Sequence, residues 1–293
     1  MHVPSYMLHG RICPVTAAFA AVTLSAAVYS AYKSKEKPSV LAFGAVSSLV
    51  FGAQMLNFPV LHGTSGHLLG GTLAASLLGT PFAILAVSIV LGVQALFFGD
   101  GGINTLGANI INMGLIGAGG GGFILYALRQ KGMNNTLALA LASWISVVMA
   151  ATVCSFELAS ANIGRLSQIL TAMVSVHALI GMGEAILAVG LVSVINKAGI
   201  ANYARTSFIF AGVAALLSPM SDPVPDGLQW VSVQLRLAHG AAMNNQAILN
   251  NYHVPALSSP VISTMTAAAI GISLVFVLAS TTAGMMKFRR SSL

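Results

Sequence analysis

Charged residues are scarce in this sequence, and that scarcity decides the class of protein. Only 6% of its 293 residues are Asp, Glu, Lys or Arg, whereas 56% are hydrophobic. A soluble domain carries about 25% charged residues, so the composition excludes a soluble globular fold. Apolar runs of about 20 residues are typical of helices that cross a lipid bilayer. We therefore predict an all-α integral membrane protein.

Cysteine is also nearly absent. Cys13 and Cys154 are the two cysteines of the chain, and they form neither a metal-binding spacing nor a disulfide framework. We interpret both as isolated small apolar residues. A disulfide between them would require both to face the oxidising side of the membrane.

No nucleotide-binding motif is present. The glycine-rich stretch GAGGGG at 117–122 lacks the lysine and the hydroxyl residue of a P-loop, so we expect it to allow close helix packing. Gly44, Ser48 and Gly52, spaced four residues apart, form a small-residue stripe. Such a stripe predicts packing within the chain or against a transmembrane partner. ATP hydrolysis would need a separate subunit.

The first apolar segment has the wrong charge order for a cleaved signal peptide. Arg11 precedes it, and Lys33, Lys35 and Lys37 follow it, which reverses the order of a signal peptide. We expect an uncleaved first span with its N-terminus outside. In all we predict about nine transmembrane helices, near residues 14–32, 39–56, 67–79, 82–98, 105–128, 136–156, 168–195, 204–219 and 261–284.

The basic residues favour the same orientation. With nine spans and the N-terminus outside, most of the 13 Lys and Arg residues fall in cytoplasmic loops, as the positive-inside rule expects. Those on the inside are Lys33, Lys35, Lys37, Arg129, Lys131, Lys197, Arg205, Lys287, Arg289 and Arg290. Membrane orientation rather than nucleic-acid binding thus accounts for the net charge of +7. We expect a multi-pass protein of the cell (cytoplasmic/inner) membrane with a cytoplasmic C-terminus.

Nitrogen ligands are concentrated at two places in the first part of the chain. Met1 and His2 offer an N-terminal amine, a backbone nitrogen and an imidazole, and short chelate rings between them favour a flat arrangement. His2 is bulky enough that removal of the initiator methionine is not expected. His67, in a Gly/Ser/Thr-rich loop, would supply a fourth nitrogen. Square-planar nitrogen ligation suits Ni(II) or Cu(II).

Several motifs in combination resemble a known family. They are the opening MHVP, NFPV…GTSGHLLGG (57–71), LFFGDGGINTLGANIINMG (96–114) and VHALIGMGEA (176–185). Together they resemble the M component of cobalt/nickel energy-coupling-factor transporters, the CbiM/NikM family. The resemblance implies a membrane subunit that captures Ni2+ or Co2+ as a transported substrate, with no resident cofactor. It also carries the ligand roles onto Met1, His2 and His67.

The last third of the chain has a different composition. A polar linker at 196–206 precedes two apolar segments around a polar loop, and the phrase SPMSDPVPDGLQW in that loop resembles the two-span N component (CbiN/NikN) of the same transporters. We predict a seven-helix substrate-binding domain at 1–195 and a two-helix region with an extracytoplasmic loop at 207–293. The resemblance further implies two kinds of partner, a transmembrane coupling subunit and cytoplasmic ATPase subunits.

Residues around His67 are candidates for the second shell of the site. Thr64 and Ser65 precede His67 and could cap the helix that follows. Metal-bound imidazoles usually direct their other nitrogen to a polar partner. We expect Asp100, in the GDGG loop on the same outer face, to orient His67.

Two further histidines depart from the family pattern. The usual opening resembles MHIP followed by an acidic residue and glycine, whereas this chain reads MHVPSYMLHG, so the acidic residue is missing. His9 and His62 have no counterpart in that pattern. We interpret both as solvent-facing loop residues.

Glu184 is an ionisable residue inside the seventh predicted span, seven residues after His177. The two share one helix face, and a charge at membrane depth is a functional hypothesis. A hydrogen bond from Asn109 or Asn112 that fastens helices together is an equal alternative.

Two rival functions remain open. A membrane metalloenzyme would place a metal with an open water position near His177 and Glu184. A stand-alone secondary carrier would be expected to show inverted repeats, which are not evident. We predict a transporter subunit rather than an enzyme.

Overall fold

Helices dominate the computed structural model, which describes residues 1–60, 63–199, 202–237 and 247–286. The helices are α1 (Ile12–Lys33), α2 (Val40–Gln54), α3 (Gly71–Leu78), α4 (Thr80–Val93), α5 (Leu106–Asn109), α6 (Gly121–Gln130), α7 (Asn135–Ser160), α8 (Leu166–Lys197), α9 (Tyr203–Leu217), α10 (Gly227–Gln234) and α11 (Pro260–Met285). A π-helical turn, Gln94–Phe98, extends α4, and a π-helical segment, Ile110–Gly120, joins α5 to α6. The strands are β1 (Asn57–Pro59) and β2 (Ser65–His67), and short 3-10 turns lie at Ser218–Met220 and Asn250–Tyr252.

Six helices are long and apolar enough to cross a membrane. Within the part of the chain that the structure describes, these are Ile12–Lys33, Thr80–Phe98, Leu106–Gln130, Asn135–Ser160, Leu166–Lys197 and Pro260–Met285. The chain is therefore a multi-pass, predominantly helical membrane protein. Each of the nine predicted segments overlaps a helix, but α2 and α9 have only 15 residues each. The structure thus does not confirm a count of nine crossings.

The third predicted span, 67–79, begins too early and is longer than the helix that forms there. His67 ends strand β2, and α3 starts only at Gly71, after Gly70 adopts a left-handed conformation with φ 75°. The eight residues of α3 span about 12 Å, against about 30 Å for the bilayer core. Glycine adopts this conformation without steric cost, which lets the chain turn from the hairpin into α3.

Small residues bring α2 into close contact with two helices of the last third. A Cβ added to Gly44 would lie 3.1 Å from the Phe276 ring of α11, and one added to Gly52 would lie 3.1 Å from Ala214 of α9. Ser48 donates to the Ile272 carbonyl of α11 at 3.0 Å. The small-residue stripe therefore packs within the chain.

A two-stranded hairpin and a docked loop position the site. β1 and β2 pair antiparallel, with Asn57 opposite His67. The loop before α10 lies beside β2, because the Ser65 amide donates to the Pro225 carbonyl at 2.9 Å and Ser65 forms a parallel bridge with Asp226. Residues of the last third thus reach the histidine loop of the first.

Candidate metal-binding site

The N-terminal segment is fixed by the start of the helix that begins with α5. Asn109 pairs with the backbone of Val3 on both sides: its Oδ1 accepts from the Val3 amide at 2.8 Å, and its Nδ2 donates to the Val3 carbonyl at 3.2 Å. Thr105 donates to the same carbonyl at 2.7 Å. Because Val3 follows His2 directly, these bonds hold Met1 and His2, which are 2% and 7% exposed, inside the protein.

The structure brings together the three residues that the sequence analysis named as ligands, Met1, His2 and His67. The Met1 amine nitrogen contacts His67 Nε2 directly. The imidazole rings of His2 and His67 are stacked, with centroids 5.2 Å apart. Both histidines line a cavity of about 460 Å3. The cavity is also lined by all three aspartates of the chain, Asp100, Asp222 and Asp226.

The described side chains alone do not complete a metal site here. Among residues 1–60, 63–199, 202–237 and 247–286, no three His, Cys, Asp or Glu side chains form a group that could hold a metal ion. Two imidazoles alone leave a divalent ion short of ligands. The Met1 amine, and the backbone nitrogen that follows it, can supply the rest.

His67 presents a lone pair to the Met1 amine. Its Nδ1 lies 3.1 Å from the Leu68 carbonyl, which can only accept, so Nδ1 carries the ring hydrogen and Nε2 carries the lone pair. Burial, the nearby amine and His2 lower the pKa of His67 well below its ordinary value. The imidazole is therefore neutral, the form that binds metals.

His2 lies between an amide and a carboxylate. Its Nε2 is 3.0 Å from Gln94 Oε1 and its Nδ1 is 3.4 Å from Asp100 Oδ1. Burial lowers the pKa of His2, although Asp100 opposes this shift. Asp100 thus contacts His2, so the expectation that it orients His67 is corrected.

Asp226 is the carboxylate beside His67, and the sequence did not single it out. Its Oδ2 lies 3.2 Å from the Met1 amine and 3.8 Å from His67 Nε2. Burial alone would raise the pKa of Asp226, but the positive Met1 amine and the hydrogen bond from the Gln229 amide outweigh burial and hold the pKa below its ordinary range. Oδ1 accepts from the Gln229 amide at 2.8 Å, in a capping box at the start of α10. Its sequence signal, Asp three residues before Gln, indicates only a helix start.

Glu184 holds the backbone that follows His67. Its two carboxylate oxygens accept from the amides of Leu69 and Gly70, at 2.5 and 3.0 Å. The predicted partners were wrong, since Asn109 binds Val3 and Asn112 donates to Glu157 at 2.6 Å. Of the two interpretations of Glu184, this geometry favours the structural one.

Thr64 and Ser65 anchor the loop of the last third instead of capping a helix. Thr64 donates to the Pro225 carbonyl at 3.1 Å, and Ser65 donates to the Val224 carbonyl at 2.8 Å. The capping prediction was wrong because the chain forms strand β2 from Ser65 to His67, and α3 begins only at Gly71. No role in orienting His67 follows directly, but both fix the strand that carries it.

His9, His62 and His177, the other histidines considered in the sequence analysis, are not among the proposed ligands. His9 is exposed, as predicted for a loop residue. His177 lies in α8 with its Nδ1 2.8 Å from the Met173 carbonyl. His62, and the basic residues Lys287, Arg289 and Arg290 used for the orientation, lie outside the described residues.

A family model matches most of the chain. Residues 2–200 match the model described as the cobalt uptake substrate-specific transmembrane region, CbiM. The chain belongs to this family. The match covers both the N-terminal segment with His2 and the hairpin with His67.

Relatives of the CbiM family extend the similarity over the whole chain. The chain is 32% identical over 290 residues to a protein of Archaeoglobus fulgidus named as a fused nickel transport protein, NikMN, covering 95% of this chain and 96% of that one. It is 38% identical over 160 residues to a protein of Lactiplantibacillus plantarum named as a fused nickel transport protein, LarMN, covering 54% and 48%. These matches agree with an M component fused to an N component.

A solved structure supports the CbiM fold. A crystal structure of a transition metal transporter superposes with a TM-score of 0.62 at 30% identity. The superposition covers 68% of this chain and 93% of the chain in the crystal structure.

Proposed function

We propose that this protein is the substrate-binding membrane subunit of an ATP-driven energy-coupling-factor transporter for nickel or cobalt uptake. The divalent ion is its substrate. Membership of the cobalt uptake family supports a role in metal uptake, and nickel transport names among the relatives support both metals. The nitrogen ligands accept either ion, since the ligand series ranks nickel above cobalt without excluding cobalt.

The ion binds to four nitrogens: the Met1 amine, the His2 backbone nitrogen, His2 Nδ1 and His67 Nε2. The contact between the buried Met1 amine and His67 Nε2 carries this proposal. His2 Nδ1 is bonded directly to Cγ, so it closes a smaller chelate ring with the backbone nitrogen than Nε2 would. Linked small rings favour a flat ligand set, which suits Ni(II).

Partners and membrane orientation complete the proposal. The site lies at the extracytoplasmic face, with the N-terminus outside and the C-terminus in the cytoplasm. The charge bias of the loops supports this orientation. The short helices α2, α3 and α9 complete a nine-segment bundle. Since the sequence has no nucleotide-binding motif, a transmembrane coupling subunit and cytoplasmic ATPase subunits supply the energy.

The chain is divided as its sequence suggested. Residues 1–195 form the M-like substrate-binding unit, 196–206 the linker, and 207–293 the N-like unit. A family match that ends at residue 200 supports the first boundary. The loop of the second unit closes over the site of the first, through Ser65 and Pro225.

Metal titration of two matched histidine variants tests the function. His67→Ala removes one of four ligands, so nickel and cobalt affinity should fall by more than the about 10- to 100-fold that loss of a second-shell partner costs. His9→Ala makes the same change at an exposed loop position and should bind like the parent. Thermal melts establish that both variants are folded. Parent-like affinity in folded His67→Ala protein would place the site elsewhere.

A further inference from the structure

Three side chains, Gln94 and Asp100 from one part of the sequence and Tyr252 from another, form a hydrogen-bonded chain that ends on His2. Tyr252 donates its hydroxyl to Asp100 Oδ2 at 2.7 Å, and Gln94 Nε2 donates to the Tyr252 hydroxyl at 3.3 Å. Gln94 Oε1 then lies 3.0 Å from His2 Nε2. Gln94 is fully buried in the π-helical turn after α4. Such turns are frequent at functional sites.

The direction of every hydrogen bond in this chain follows from its first member. A carboxylate can only accept, so the short contact with Asp100 takes the single hydroxyl hydrogen of Tyr252. The Tyr252 oxygen must then accept from Gln94, which turns the amide nitrogen of Gln94 towards Tyr252 and its oxygen towards His2. Because an amide oxygen cannot donate, the hydrogen between Gln94 and His2 belongs to His2 Nε2.

From these forced directions we propose that Asp100, Tyr252 and Gln94 are positioning residues that hold His2 as the Nε2–H tautomer. Its Nδ1 then keeps a lone pair for the substrate metal. The assignment to metal capture rests on the proposed function, whereas the tautomer itself does not. Tyr252 belongs to the last third of the chain. The last third of the chain therefore controls the tautomer of His2, which lies next to the N-terminus.

Asp100, on the opposite side of the His2 ring, would by itself favour the other tautomer, so the contact with Gln94 has to outweigh it. Nδ1 and Asp100 Oδ1 face each other at 3.4 Å, and in the Nε2–H form both atoms are acceptors. A cation between or beside them relieves that repulsion. Without the constraint from Gln94, the hydrogen would move to Nδ1, because hydrogen bonds to a carboxylate are stronger than those to a neutral amide.

Histidine tautomers in the metal-free protein test the proposal directly. Nitrogen-15 NMR of histidine-labelled full-length protein distinguishes the two tautomers, and the His2 signals are those absent from His2→Ala protein. The parent should show His2 as Nε2–H. Tyr252→Phe frees Gln94 to turn over, and Gln94→Met removes the acceptor, so both variants should shift His2 to Nδ1–H. A parent in the Nδ1–H form, or variants that keep the parent tautomer, would overturn the proposal.

Nickel affinity gives the second measurement, with a matched control. Affinity should fall about 10- to 100-fold in Gln94→Met and Tyr252→Phe, the range for second-shell partners. Tyr6→Phe removes the same hydroxyl from the same cavity lining outside the chain of bonds, and it should bind like the parent. The substituted ring at position 252 should keep its place, because the ring of Tyr252 stacks on Phe98 with centroids 4.8 Å apart.

The two measurements distinguish a failure of the proposed function from a failure of the positioning role. If the variants change tautomer but the parent binds no nickel, the function is wrong and the positioning role survives. If the parent binds nickel through His2 and His67 but Tyr252→Phe leaves both tautomer and affinity unchanged, the positioning role is wrong. An equal loss of affinity in Tyr6→Phe would also overturn it, since any hydroxyl of the lining would then serve.

Discussion

Two groups of polar residues in the described part of this protein differ in what their atoms contact. One lies at the cavity: the Met1 amine and the side chains of His2, His67, Asp100 and Asp226. The other lies within the long helices: Asn112, Glu157, His177 and Glu184. In the helices, Glu184 accepts two backbone amides, Glu157 accepts from Asn112, and His177 faces a carbonyl. In the cavity, the Met1 amine contacts both His67 Nε2 and Asp226 Oδ2, and His2 Nδ1 lies 3.4 Å from Asp100 Oδ1.

In the proposed function, this difference separates the metal-binding group from the structural polar contacts. A buried polar group that finds a hydrogen-bond partner costs the fold little. The helix group meets that condition at Glu184, where both carboxylate oxygens are used. The cavity group brings lone pairs of His2 and His67 close to one amine and two carboxylates, an arrangement that a divalent cation stabilises. Burial alone would not have separated His67 from His177, which are 5% and 1% exposed.

The largest effect is expected from adding residues before Met1. One or two added residues convert the Met1 amine into an amide and move the chelate out of register with His67. Because Met1 is 2% exposed, the added residues would also disturb the packing around it. High-affinity binding of nickel and cobalt should be abolished in a metal titration.

A tag after Leu293 is the control for that extension. It adds residues of the same kind at the opposite end of the sequence, so C-tagged protein should bind like untagged protein. Equal affinity for N-extended, C-tagged and untagged protein would exclude Met1 as a ligand. The cavity group would then lack the amine that distinguishes it from the helix group.

A smaller effect is expected from Asp226→Asn. This change removes a negative charge 3.2 Å from the Met1 amine, and a carboxylate next to a bound cation stabilises it by charge attraction. We expect nickel affinity to fall about 10-fold, within the range for second-shell changes. Asp222→Asn makes the same change in the same cavity, but Asp222 Oδ1 accepts from the Val224 amide. Asp222→Asn should lower nickel affinity less than Asp226→Asn does. An equal loss in both variants would mean that Asp226 contributes only its negative charge and makes no specific contact with the bound ion.

The sequence was sufficient for the membrane class and for most helices, and it indicated Met1, His2 and His67, which the structure brings together. Those features depend on local signals: long apolar runs, the Met1-His2 opening and the loop around His67. It was insufficient for Asp226, Gln94 and Tyr252, because their roles depend on tertiary contacts across 92 to 225 positions. The capping prediction for Thr64 and Ser65 failed for the same reason, since their partners Val224 and Pro225 come from the docked loop.

The smallest effect on metal binding is expected from Glu184→Gln, which tests the helix group. Glutamine keeps one acceptor oxygen, but its amide nitrogen would face one of the two amides of Leu69 and Gly70 as donor against donor. Loss of that charged hydrogen bond should cost about 1–3 kcal/mol of stability, seen as a lower thermal midpoint in detergent. The Met1, His2 and His67 nitrogens are untouched, so nickel affinity of the folded protein should stay close to that of the parent. A variant with parent-like stability and a selective loss of metal would move Glu184 from the structural group into the ligand set, and would favour the membrane metalloenzyme over the transporter subunit.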